Sequence, residues 1–431
     1  MKKYGLFALI SIATLVWACE KNSPREPVFT GTGGTPATGM GAAPGTGGFT
    51  FDGGGLGDGG FDPDAPVTPV QFSKAALIKA TGDCALGLYK QFALDAGRLQ
   101  AAVAAYAATL SPEDLAAAQT AWRLAMATWQ QAEAFLFGPA AGSAELGGQG
   151  LRDQIYAFPS VSRCQVDIQL VNQLYAKPEF GNSFINARGL GALEYLLFYA
   201  GTTNACAVSS EINVKGTWAA VPAAELPRRR ADYAAAVAAA LVPRSQALVN
   251  AWEGGGFKNQ LEAAGKSSQL FTTDQAALNA IFAGVLPVDH AIRHEKTLDP
   301  LGGTENCAQT PCPGALESPY ARESTANIVN NLVGLKRVLL GCDANGEGIG
   351  FDDWLISVGQ ADLAQQLRGL FGNAVGAATT LAPPLEDAIT TAPGNVVAVR
   401  TAVGALTTFL KTQFRSLLNL DLPMSVEGDN D

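Results

Sequence analysis

The stretch SPEDLAAAQTAWRLAMATWQQAEAFLF, residues 111–137, decides the fold class. Ser111 is a favoured helix N-cap, Pro112 occupies the first helical position, and Glu113 and Asp114 put negative charge in the first turn. Beyond this start Leu115, Ala118, Trp122, Met126 and Trp129 step by three or four residues, the spacing of one helix face. The pattern predicts a helix to about Phe137, stopped by Gly138-Pro139. The next member of the same stripe is Glu133, so a carboxylate lands on the apolar face. Glutamate is rarely buried without a partner, because desolvation disfavours its charged form, and Glu133 must either find a cation, donor or proton or reach solvent at the helix end.

On the N-terminal side, alanines and leucines recur at the same intervals from Lys74 to Leu110, behind Ser73. On the C-terminal side, Thr272-Thr273-Asp274-Gln275 is a capping box before Leu278, Ile281, Phe282 and Val285, and Pro287 predicts a kink or restart. Ser324 opens another helix, with Ile328, Leu332, Leu335 and Leu339 on one stripe and Gly341 beyond its end. Val396 to Leu420 is again helical. No run alternates with period two for long enough to suggest a sheet. The expected fold is all-α, in helical bundles, with irregular connections near 140–188, 201–226, 253–271 and 298–322.

Two further features bear on chemistry. The segment Gly189-Leu190-Gly191-Ala192-Leu193-Glu194-Tyr195-Leu196-Leu197-Phe198 is apolar all round except for Glu194, so the helix is expected to be buried and its carboxylate to need a partner. That partner is either a cation such as the neighbouring Arg188, or a metal or ligand. The only two histidines, His290 and His294, lie one helical turn apart and can share a metal, or simply face solvent. They do not form the H-E-x-x-H zinc-protease pattern, and no G-x-S-x-G elbow, phosphate loop or dinucleotide fingerprint accompanies them.

The net charge of −10 argues against nucleic acid and against general adhesion to anionic lipid. Met1-Lys2-Lys3, the apolar stretch Tyr4–Val16 and the junction Val16-Trp17-Ala18-Cys19 predict a lipoprotein signal peptide over 1–18. Lipid on Cys19 then anchors the chain to a membrane. Glu20, in place of an aspartate that retains some lipoproteins at the inner membrane, favours the outer membrane. Residues 19–70 hold Gly-Thr-Gly-Gly repeats and few aliphatic side chains, a flexible tether of roughly 40 Å reach. The folded domain is expected over 71–425, divided near 201–226, with an acidic tail at 426–431. Six cysteines follow Cys19, an even number that suggests disulfides in an exported chain; only Cys307 with Cys312 has a local case.

Taken in order, Ala121-Trp122-Arg123, Gln131-Ala132-Glu133-Ala134-Phe135, Gly189 to Phe198, Ser318-Pro319-Tyr320, Asn330-Asn331-Leu332-Val333-Gly334 and the closing Ser416 to Pro423 resemble the imelysin family. Its members are also called insulin-cleaving membrane protease-like proteins, exported helical proteins often encoded beside iron-uptake genes. The resemblance spans nearly all of residues 75–422. It implies two packed helical bundles and a cleft lined by a G-x-H-x-x-E motif proposed to bind metal. Here that motif falls on Gly189, Gly191 and Glu194, with glycine where the family has histidine, and Glu133 matches a second acidic position. Glycine supplies neither ligand nor base, and two carboxylates without imidazole favour a hard cation, divalent or ferric.

The leading expectation is therefore a non-catalytic, envelope-anchored protein that binds a metal ion or metal-bearing ligand in iron acquisition. Its candidate ligands are Glu194 and Glu133, with His290 and His294 as a second set. The rivals are a metallopeptidase in which the two histidines replace the missing ligand, and a surface protein-interaction scaffold with a degenerate site.

Overall fold

The computed structural model describes residues 63, 70–182, 184–342 and 348–421. The expected signal peptide, Cys19, nearly all of the tether and the acidic tail lie outside the described residues.

Helix α1 (Lys74–Thr109) begins where Ser73 accepts the backbone N–H of Ala76 at 3.1 Å and ends at Leu110, which takes the left-handed conformation. Helix α2 (Pro112–Ala132) is capped in the same way, Ser111 accepting from the N–H of Asp114 at 3.1 Å. The α-form stops at Ala132, short of the expected Phe137, and the chain tightens into a 3₁₀ turn, Glu133–Phe135. The region 140–188, expected to be irregular, contains two helices, α3 (Leu151–Ile155) and α4 (Arg163–Val171). Helices α5 (Gly189–Phe198) and α6 (Leu226–Trp252) complete a first bundle in which α6 packs against both α1 and α5. Because α6 follows 201–226 and returns to α1, the chain crosses between bundles after α6.

The second bundle is reached through α7 (Asp274–Val285), which is capped by Thr273 and itself packs on α1 and on the 3₁₀ turn after α2. Pro287 does restart the helix, first as a short turn, Pro287–His290, and then as a π-helix, Ala291–Leu298. Helices α8 (Ser324–Leu339), α9 (Ala361–Thr379), α10 (Leu385–Thr391) and α11 (Pro393–Phe409) follow, and a second π-turn, Leu410–Phe414, extends α11. No strand occurs among the described residues.

Aromatic side chains fill both bundles. Phe92 and Trp129 lie 4.8 Å apart, and Tyr89 and Trp252 5.4 Å, in the first; Phe414 touches Phe282 and Phe351, each at 5.8 Å, in the second. Burying a Phe-sized side chain contributes about 1.5–3 kcal/mol, so this packing, rather than helix propensity, holds the elements together. The bundles meet where α2 packs on α8. There a Cβ on Gly334 would stand 2.1 Å from the carbonyl oxygen of Gln131, so only glycine permits the approach.

Among the described residues three disulfides form. Cys307–Cys312 is the expected local pair, and Cys164–Cys206 ties α4 to the loop after α5. Cys84–Cys342 links α1 to the end of α8, joining the two bundles covalently.

Candidate polar seam between the bundles

Four of the segments that carried the family resemblance converge on the contact between bundles. The end of α2 brings Gln130 and the 3₁₀ turn after it Glu133, α5 brings Glu194, the loop before α8 brings Glu317 to Tyr320, and α8 brings Asn331. The π-helix adds Lys296.

Glu133 is buried, as the stripe in α2 requires, and its partner is a cation. Arg152 of α3 donates from Nε to Glu133 Oε1 at 3.0 Å and from Nη1 to the Phe158 carbonyl at 2.9 Å. Burial works against the Arg152 charge, but Glu133 and Asp153 outweigh it and hold the guanidinium protonated above its ordinary value.

Beside this pair lies a second, Lys296 with Glu317, whose side chains are 1% and 0% exposed. Lys296 Nζ donates to Glu317 Oε1 at 2.9 Å, Gln130 Oε1 at 2.7 Å and Asn331 Oδ1 at 2.6 Å. Glu317 Oε1 also accepts from Gln130 Nε2 at 2.8 Å and the Tyr156 hydroxyl at 2.5 Å. Burial, and then the Glu317 charge, push the Tyr156 phenol well up, so it remains a donor. A buried ion pair is tolerated when further hydrogen bonds satisfy its members, and here amides and a phenol supply most of them.

Glu194 is 3% exposed and faces the main chain of the other bundle. Its Oε1 accepts from the backbone N–H groups of Tyr320 and Ala321 at 2.7 and 2.8 Å. Burial raises its carboxyl to about 7 against the opposing pull of Arg163 and the two N–H groups. Arg188, the cation adjacent in sequence, donates to Gln154. Glu386 of α10 accepts the N–H of Ser324 at 3.0 Å, so the turn that starts α8 is held by two carboxylates, Glu194 and Glu386.

Three residues before Glu194, the position where the family has histidine is closed. A Cβ on Gly191 would lie 2.7 Å from Cγ2 of Val161, so the valine fills the space that an imidazole needs. The described residues thus do not fit a metal at the motif: the imidazole is absent, its place is filled, and Glu194 and Glu133 already have donors. Among the described residues no three His, Cys, Asp or Glu side chains gather to hold one ion.

His290 ends the short turn before the π-helix, and His294 lies within the π-helix that carries Lys296. Their rings stack with centroids 5.0 Å apart and planes 16° from parallel, and the His290 side chain is 53% exposed. Glu295 Oε1 stands 3.9 Å from His290 Nε2; burial raises its carboxyl, while His290, Arg152 and Lys296 pull it back.

Arg152, Lys296, Glu317, Tyr156 and Gln130 escaped the reading of the sequence, and Asn331 entered it only as part of a family segment. Two had local signals: Gln130 shares the face of Met126 and Glu133, and Lys296 sits one turn after the fully buried Ile292. Arg152 and Glu317 lie on a short helix and a loop, where no periodicity marks them.

The sequence profile of the imelysin family matches residues 85–413. The chain is 25% identical to iron-regulated protein A of Synechococcus elongatus over 336 residues, covering 77% of this chain and 82% of that protein. A crystal structure of a putative iron-regulated protein A precursor from Parabacteroides distasonis superposes with a TM-score of 0.62 at 19% identity, over 81% of this chain and 96% of the other. An imelysin-like protein from Psychrobacter arcticum superposes with a TM-score of 0.60 at 16% identity, over 83% of this chain and all of the other. At these identities the likeness to solved structures extends to the fold.

Proposed function

The chain belongs to the imelysin family, and on that premise we propose that it is a non-catalytic, iron-linked binding protein, anchored to the cell envelope through lipid on Cys19. The observation that carries the non-catalytic reading is the closure of the motif: Val161 occupies the space above Gly191, and Glu194 is committed to the backbone of Tyr320 and Ala321. A hydrolytic metal centre needs an open coordination position and a free base, and neither is present at the motif.

The link to iron is supported by the similarity to iron-regulated protein A. A metal-bearing ligand suits the seam better than a bare ion. Glu133 and Glu317 are already neutralised by Arg152 and Lys296, so no carboxylate pair stands ready to strip an ion of its own ligands. Envelope placement is supported by the charged and apolar N-terminus and by three disulfides, which persist in oxidising compartments. Among the described residues no helix is long and apolar enough to cross a membrane.

The test is a pair of assays on the full chain. Calorimetric titration with ferric nitrilotriacetate is expected to show saturable binding, and a peptide library incubated with metal-loaded protein is expected to stay intact by mass spectrometry. Chelator-sensitive cleavage, or no uptake of the ferric chelate, would overturn the proposal.

A further inference from the structure

We propose that Lys296 and Asn331 are a site of self-modification: the Lys296 amine attacks the Asn331 amide carbon and forms an intramolecular isopeptide bond, with Glu317 moving the protons. The reaction needs a placed nucleophile, a proton carrier and a dry site.

The nucleophile is placed. Lys296 Nζ donates to Asn331 Oδ1 at 2.6 Å, the shortest of its three contacts with Asn331, Gln130 and Glu317. A carbonyl oxygen at that distance puts its carbon roughly 3–3.5 Å from the nitrogen, a near-attack separation. Lys296 sits in the π-helix and Asn331 in α8, each 1% exposed, so packing holds both reactants in one position. Gln130 is the other amide in reach, at 2.7 Å, but its Oε1 is shared with Asn331 Nδ2.

The carrier is Glu317. Its Oε1 accepts from Nζ at 2.9 Å and is steadied by Gln130 Nε2 and the Tyr156 hydroxyl. Its Oε2 is buried and has no hydrogen-bond partner among the described residues. One oxygen therefore faces the lysine while the other is open to carry a proton. A carboxylate so placed acts as base toward the amine and as acid toward the leaving nitrogen.

The site is dry. The Phe158 ring lies 5.9 Å from Nζ, and the Lys296 and Glu317 side chains are 1% and 0% exposed. Water is kept from competing with the amine, and such a setting disfavours separated charges. Passing one proton from Nζ to Glu317 removes both charges and frees the lone pair that the attack requires.

The step balances within the chain. The Nζ–Cγ bond forms and the Cγ–Nδ2 bond breaks. Of the three Nζ protons, one stays on the new amide, one passes through Glu317 to Nδ2, which leaves as ammonia, and one remains on Glu317. Nothing is oxidised or reduced. The ion pair is the state in which the chain folds, and the bond follows folding.

The experiment incubates the purified full chain at neutral pH for several days, then reduces it and measures intact mass and tryptic peptides. The parent should become about 17 Da lighter, the mass of one ammonia. Its digest should hold residues 294–322 joined to residues 323–336, because trypsin no longer cuts after Lys296. Glu317→Gln should keep its full mass. Parent held unfolded in urea should form no link, a control that does not depend on any variant folding. A folded parent that keeps its full mass contradicts the proposal, as does ammonia lost without the joined peptides. A link that forms equally fast in urea or in Glu317→Gln contradicts it too.

Discussion

Glu194 in α5 and Tyr320 in the turn before α8 are joined through a carboxylate oxygen that accepts the Tyr320 backbone N–H at 2.7 Å, with the N–H of Ala321 sharing the same oxygen at 2.8 Å. The bond crosses from one bundle to the other and turns the acid of the family motif into a clasp. Removing the acceptor strands two main-chain donors, that of Ala321 buried and that of Tyr320 partly so. Glu194→Ala should therefore lower stability by about 1–3 kcal/mol. Glu194→Gln keeps an oxygen in place and should be far milder. Chemical denaturation of both variants distinguishes a clasp from a ligand.

The same residue sets a pH dependence. Burial holds Glu194, Asp167 and Asp352 each at about 7 in the folded chain, above the ordinary carboxylate range. Between that range and pH 7 the folded state binds protons that the unfolded state has released, so stability falls as pH rises through this window. The melting temperature should be higher near pH 5.5 than near pH 8, and Glu194→Gln should reduce that difference. A melting temperature that climbs from pH 5.5 to 8 would contradict the burial argument.

Lys296 and Glu317 should prove mutually dependent. Lys296→Met leaves a buried carboxylate without its cation, a loss of about 3–5 kcal/mol. Adding Glu317→Gln removes the stranded charge and should restore much of it, a coupling that a double-mutant cycle measures.

Gly191 should resist substitution for a reason that lies in Val161. Gly191→Ala places its Cβ 2.7 Å from Val161 Cγ2 and should cost about 1–3 kcal/mol, which Val161→Ala relieves. Equal destabilisation in both backgrounds would show that Val161 is not the obstacle.

The Cys84–Cys342 bond closes a separation of 258 residues between the bundles. In the chain-entropy view a loop of that size is worth about 5 kcal/mol. Cys84→Ser/Cys342→Ser should melt well below the parent, whereas Cys307→Ser/Cys312→Ser, which opens a separation of only 5, should fall less.

What the sequence makes legible is local. Ser111 is the cap that it was expected to be, the box at 272–275 caps from Thr273 rather than Thr272, Pro287 restarts its helix, and the stripe through Trp122 and Trp129 does carry Glu133 into the interior. Partners are not legible, because a stripe states which face is buried and not what meets it. Arg152 lies 19 residues from Glu133, and the donors to Glu194 are backbone N–H groups 126 and 127 residues away, which no side-chain pattern announces. The π-helix was equally hidden. Five-residue turns leave no distinct apolar period in eight residues, so the histidines read as an ordinary i, i+4 pair without Glu295.

The most direct measurement is calorimetric titration of ferric nitrilotriacetate into the parent chain and into Glu194→Gln. Saturable binding of equal affinity in both is expected, because Glu194 is a structural clasp whose carboxylate oxygen is taken by the N–H groups of Tyr320 and Ala321. Binding abolished by Glu194→Gln would return the motif to the ligand site, and no binding in either would contradict an iron-linked binding protein.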